Sequence, residues 1–151
     1  MPVSPSKQVV GFIAKFDPSI AKLTRACRSE IRKRYPSAIE LVYDNYNALA
    51  IGYSPTERTS DVVFSLAVYP RGLNLYFMYG RSLADPNGLL QGSGTQGAFI
   101  RLENVQTLDD PKVVDLITRA VKRQMPTFAT KGRGYTVVKS ISAKQRPRRI
   151  E

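Results

Sequence analysis

The sequence predicts an α+β fold: two layers, with a five-stranded antiparallel sheet and N-terminal and C-terminal helices packed on one of its faces. Three observations lead there. Between Ser37 and Glu103 apolar residues alternate with a period of two in five short runs, Ala38–Tyr43, Ala48–Tyr53, Val62–Tyr69, Leu73–Tyr79 and Ala98–Glu103. The breaks between these runs carry Asn, Gly, Pro and Ser, so each strand can fold back on its predecessor. The flanking segments switch to helical spacing, and each opens on a capping residue followed by proline.

Ser4 before Pro5 starts the first helix, with Val9, Val10, Ile13 and Phe16 as a short apolar stripe. Asp17 before Pro18 opens a second helix that runs to about Tyr35 and stops at Pro36. Ile20, Leu23, Cys27, Ile31 and Arg34 recur along it at helical spacing, opposite Lys22, Arg25, Arg28, Arg32 and Lys33. Cys27 lies in the apolar stripe and reads as a buried, unreactive thiol. In the sheet, Ile39, Leu41 and Tyr43, with Leu49, Ile51, Tyr53, Phe64, Leu66, Val68, Leu73 and Leu75, are assigned to the helix-covered face. The opposite face then carries Glu40, Val42, Ser65, Ala67, Tyr69, Asn74, Tyr76 and Met78, a mixed surface suited to a ligand cleft or a homodimer interface. Asp110 and Pro111 start a last helix that ends near Gln124, before Pro126. Residues 1–125 are read as the α+β domain and 126–151 as a basic extension, with a short strand at Tyr135–Ser142 and then a flexible tail.

Composition narrows the chemistry. The chain has 151 residues, a net charge of +11, one Cys and no His. The absence of His removes Ser-His and Cys-His relays and the commonest transition-metal ligand, and one Cys builds no structural zinc site. Acid–base work falls to carboxylates, Lys or Tyr. No cofactor and no metal site is expected. No apolar run approaches the roughly 20 residues of a membrane span, and the first residues lack a signal-peptide pattern, so a cytoplasmic protein is expected. The positive charge belongs to the two ends of the chain, because residues 36–125 are close to neutral.

Several stretches, Glu40–Tyr46, Leu73–Gly80, Leu83–Gly94 and Phe99–Leu102, resemble the YdhG-like domain of unknown function. The resemblance spans roughly Ile20 to Lys122, and its most specific part is Asp85-Pro-Asn-Gly-Leu-Leu-Gln-Gly-Ser-Gly94. It implies an α+β, secretion-chaperone-like layered fold and brings no catalytic residues. Some members are described as frataxin-like iron-binding proteins. Here the matching helix is basic, with Asp17 and Glu30 among many cations, and like charge disfavours a cation site.

Three stretches offer chemistry. In the glycine-rich loop, Gly92, Ser93 and Gly94 present amides and a hydroxyl to a phosphate or carboxylate, though a crossover loop needs the same glycines. Tyr43, Asp44, Tyr46, Tyr76 and Arg101 form an aromatic and charged set that fits a flat or polar ligand. Arg25, Arg28, Arg32 and Lys33 on the second helix, with Lys144, Arg146, Arg148 and Arg149 in the tail, suit non-specific nucleic-acid contact. The expectation is a non-enzymatic binding protein that uses the free sheet face and glycine loop for a small organic or anionic ligand, another protein or a second copy. A nucleic-acid accessory role is the alternative, with frataxin-like iron binding behind it.

Overall fold

Proline preceded by Ser or Asp opens each of the three α-helices in the computed structural model, which describes residues 3–150. Helix α1 spans Pro5–Ala14, with Ser4 accepting from the Lys7 amide at 3.3 Å. Helix α2 spans Pro18–Arg34; Asp17 precedes it without a side-chain capping bond. Helix α3 spans Pro111–Arg123, and Asp110 accepts from the Lys112 amide at 2.9 Å. Proline suits this position because its fixed φ is helical and its missing N–H has no partner in a first turn. Met1 and Pro2, part of the stretch without a signal-peptide pattern, and Glu151, the end of the expected flexible tail, lie outside the described residues.

The strands are β1 (Ile39–Asp44), β2 (Leu49–Ser54), β3 (Phe64–Tyr69), β4 (Gly72–Phe77), β5 (Ala98–Leu102) and β6 (Thr136–Ile141), in spatial order β5-β4-β3-β2-β1-β6. The first five form an antiparallel meander, as the turn residues predict. The sheet nevertheless has six strands and is mixed, because β6 lies parallel to β1. A parallel neighbour requires a long crossover, and here most of the chain, ending in α3, provides it.

Helices α1, α2 and α3 bury their apolar residues against one sheet face. Phe64 sits at the centre, with the rings of Tyr35, Tyr53, Phe77 and Phe128 at centroid distances of 5.6–6.5 Å. Cys27 is fully buried in the same core, and burial, with Glu30 nearby, pushes its thiol up to about 11. It stays protonated and inert. Among the described residues no helix is long and apolar enough to cross a membrane.

Two expectations are corrected by the packing. Alternation is right in β1, but the faces are exchanged: Glu40, Val42 and Asp44 point to the helices, while Ile39 and Leu41 pack with Val62 under the β2–β3 loop. Glu40 stands opposite Tyr53 in the register, and cross-strand partners share a face. A strand buried on both sides gives no polar face by which sequence could orient it.

The second correction concerns the C-terminal segment. Beyond β6 the chain folds back over the end of β1 rather than trailing as a flexible tail. Arg148 is 6% exposed and donates to the Asp44 carboxylate at 3.0 Å, with its guanidinium 5.6 Å from the Phe16 ring centre. Gln145 donates to the Asp44 carbonyl, and Arg149 donates to the Lys15 carbonyl at the end of α1. Removing one partner of a buried pair strands the other charge. Arg148→Met is therefore expected to destabilise the protein by about 2–4 kcal/mol in urea unfolding, softened from the full penalty by Lys15. A change below about 0.5 kcal/mol, the level of an ordinary surface substitution, would contradict this anchoring.

Candidate anion-binding cleft

Two buried carboxylates on β1 organise the surface around them. Glu40, 2% exposed, receives Arg28 in bidentate fashion, Nε to Oε2 and Nη2 to Oε1, each at 2.9 Å. The Tyr53 hydroxyl donates to Oε2 at 2.9 Å and the Thr136 hydroxyl to Oε1 at 2.7 Å. Burial alone raises the Glu40 carboxyl, but the bonds and charge of Arg28, then Thr136 and Tyr53, outweigh it and hold the group below its ordinary value. The Tyr53 hydroxyl is driven well above its ordinary value by burial and by the charge of Glu40, so it remains a donor. Ser6 of α1 accepts from Arg28 at 3.1 Å and from Arg32 at 3.3 Å.

Above this network a cleft of about 780 Å³ opens between the second half of α2 and the segment entering β6. Among the described residues five cations line it, Arg25, Arg28, Arg32, Lys33 and Arg133, and Glu40 is the one acid in its wall. Arg28 is consumed by Glu40, and Arg32 approaches the same carboxylate only at 3.9 Å. Arg25, Lys33 and Arg133 make no ion pair among the described residues. By contrast Arg34, on the same turn, is spent on Glu30, Asp109 and the Leu108 carbonyl, tying α2 to the start of α3. The cleft therefore holds an excess of positive charge with no internal acid left to meet it.

Local backbone geometry places the β6 side of the cleft. Gly132 has φ +92, a region that L side chains rarely adopt. The Gly134 amide donates to the Pro36 carbonyl at 2.7 Å, and a Cβ on Gly134 would fall 1.7 Å from the Ala38 carbonyl oxygen. The Gly-Arg-Gly turn is thus the device that presses this segment onto β1 and puts Arg133 in the wall. Tyr135 follows, its carbonyl accepting from the Glu40 amide at 2.8 Å and its hydroxyl donating to Glu57 at 2.6 Å. That bond to Glu57 pushes the Tyr135 hydroxyl up, so it too stays protonated.

The residues proposed from sequence for a ligand site do not converge. Asp44 is 0% exposed, faces the helices, and is held by Lys15 at 2.7 Å and Arg148 at 3.0 Å. Burial raises its carboxyl, and the bonds from Lys15, Gln145 and Arg148 bring it below the ordinary value. Tyr43, Tyr76 and Arg101 occupy the opposite sheet face. Tyr43 shares a hydrogen bond with Thr59 at 2.6 Å, and Tyr76 closes over Gly97. Arg101 lies across Gly72 and borders a smaller groove of about 440 Å³ with Arg71 and Glu103. Tyr46, in the β1–β2 turn, carries the Arg146 guanidinium 5.6 Å from its ring centre. The glycine loop is clamped to β5, four strand spacings or roughly 19 Å from β1. Gly92 has φ +118 and packs against Phe99, the Gly94 carbonyl accepts from Arg81 at 2.8 Å, and Ser93 is exposed.

The basic set divides as well. Arg25, Arg28, Arg32 and Lys33 gather in the cleft, whereas Lys144, Arg146, Arg148 and Arg149 lie at the other end of β1, where Arg148 is buried. Arg133 and Tyr135 are absent from the sequence-based candidates. Their signal is the Gly132 and Gly134 pair, which marks a close backbone approach. Among the described residues no group of three or more His, Cys, Asp or Glu side chains is placed to hold a metal ion.

No protein-family model, curated protein or solved structure matches this chain. Nothing in these comparisons bears on the resemblance to YdhG-like domains, and the most specific of its motif residues have a local role in the turn they form. Asp85 accepts from the Leu89 and Leu90 amides at 3.0 and 2.9 Å, and Gly88 takes φ +64 to close that turn.

The depressed Glu40 carboxyl has a pH consequence. A carboxylate below its unfolded value confers stability that is complete above that value and is lost as pH falls through the folded one. The stability gap between the wild type and Glu40→Gln is expected to be constant from neutral pH down to about 5 and to close as pH falls below 4.5, the ordinary value of the group. Urea unfolding at a series of pH values reads this directly, and a gap that widens on acidification would refute it.

Proposed function

We propose that the protein is a non-enzymatic binding domain that holds a phosphate-rich or carboxylate-rich organic anion in the cleft between α2 and residues 133–135. One observation carries this reading: Arg25, Lys33 and Arg133 line a single cavity with no carboxylate partner among the described residues, while the only acid in the wall is already saturated. Unpaired cations in a concavity focus field lines and raise the local concentration of anions. Guanidinium groups add a planar fork that matches phosphate and carboxylate oxygens. The cavity's 780 Å³ lies within the ordinary range for small-molecule sites.

The state of the titratable groups supports binding rather than turnover. Glu40 is held ionised by its partners and offers no proton or free lone pair to a substrate, and the Tyr135 hydroxyl is committed to Glu57. The open sheet face is the weaker place for a ligand, since Tyr43, Tyr76 and Arg101 each rest on protein neighbours.

Isothermal titration with pyrophosphate tests the reading. Replacing Arg25 or Lys33 with Ala is expected to weaken binding about tenfold each, the scale of one hydrogen bond to a charged group. Arg71→Ala, beside the smaller groove, should leave the affinity unchanged. Loss of binding in Arg71→Ala but not in Arg25→Ala or Lys33→Ala would place the site elsewhere.

A further inference from the structure

Strand β6 forms one border of the sheet, and no strand lies along its outer edge. Its inner edge is taken: the Tyr135 carbonyl accepts from the Glu40 amide at 2.8 Å, and Thr136 and Val138 stand level with Glu40 and Val42 of β1. In a parallel ladder, residues that bond to the neighbour alternate with residues whose N–H and C=O point away. Thr136 and Val138 are the outward pair, and among the described residues neither makes a backbone hydrogen bond to a turn or loop. Sheet edges are commonly blunted by a lysine, a proline or a bulge. Here the strand has no proline, and the Lys139 ammonium is turned aside to the Glu57 carbonyl at 2.9 Å. The one register shift lies past Val138, between Val42 and Tyr43. The first half of the edge is therefore left open.

We propose that this edge takes up, as one more strand, an extended segment of another protein that alternates acidic and apolar residues. Main-chain hydrogen bonds to Thr136 and Val138 supply the attachment, and the side chains beside them set the preference. Val138 and Ile141 stand in register with Val42 and Asp44, which face the helices, and Ile141 is 55% exposed. They give an incoming strand an apolar contact on that side. Lys139 reaches the β2–β3 loop on the other side of the sheet. Neither Lys139 nor Lys144, both exposed, makes an ion pair among the described residues. Strand side chains alternate between faces, so acids at every second position meet the lysine side while apolar residues meet Val138 and Ile141. A second copy of this chain, with its net charge of +11, would set the same lysines against one another across the seam. None of Arg25, Lys33 or Arg133 takes part, so this surface is independent of the anion reading.

Amide chemical-shift titration of the ¹⁵N-labelled full chain with a short capped peptide of alternating Glu and Val, at about 0.15 M salt, tests this. Saturable shifts centred on Thr136 and Val138 are expected. The same peptide in fully N-methylated form keeps its charge and loses its backbone donors, so it should bind about tenfold more weakly or worse. A peptide of alternating Lys and Val should be weakened at least as much. Equal binding of the N-methylated peptide would leave charge attraction alone and overturn strand addition. Equal binding of the Lys and Val peptide would overturn the acidic preference. Absence of saturable shifts, or shifts centred away from β6, would remove the site. A dimer in sedimentation of the protein alone, with the Thr136 and Val138 amides protected from exchange, would assign the edge to a second copy instead.

Discussion

The structure depends on two carboxylates buried on one strand. Glu40 and Asp44 flank Val42 on the helix side of β1, where an uncompensated charge would be prohibitive. Each is tolerable only when cations from elsewhere in the chain arrive. Arg28 from α2 reaches Glu40, and Lys15 from the end of α1 with Arg148 from the C-terminal segment reaches Asp44. These three ion pairs thus fix where both N-terminal helices dock and why the last residues return to the sheet. Hydrophobic burial around Phe64 supplies the bulk of the driving force, but it is non-directional and sets no such register.

The same constraint sorts the protein's basic residues into those that serve the fold and those left over. Arg28, Arg148, Lys15 and Arg34 are tied to acids. Arg25, Lys33 and Arg133 stand around the cleft without one among the described residues, and the Glu40 network forms part of the wall beneath them. Because Arg28 neutralises Glu40 completely, the floor does not repel an approaching anion. The structural and binding roles are linked through one salt bridge. Loss of Arg28 removes a docking contact of α2 and also exposes an acid to the site.

Much of the fold is legible in the sequence, because periodicity, turn chemistry and proline placement all act locally. The positions of β2 to β5 and the starts of all three helices follow from such signals. What escapes is non-local. The face of β1 is set by ion pairs with residues 12 and 104 positions away, and alternation alone is blind to which side is buried. The parallel pairing of β6 depends on a crossover, and the order of the C-terminal segment depends on one arginine among several that look alike. The candidate site was partly legible: the cationic face of α2 could be read as a stripe, but not that Arg28 within it points inward. Arg133 escapes because its place in the cleft comes from the Gly132–Gly134 turn packing on Ala38, a contact that exists only in three dimensions.

The central proposal is that three cations gathered in one cleft without an acid partner among the described residues, Arg25, Lys33 and Arg133, hold an anion. Amide chemical-shift mapping of the ¹⁵N-labelled protein during a titration with pyrophosphate tests it most directly. The account predicts saturable shifts confined to residues around 25–36 and 133–135, with the C-terminal segment around Arg148 unmoved. Shifts that grow without saturation, or that centre on residues 144–149, would mean that the basic ends act as a diffuse surface and that the cleft is not the site.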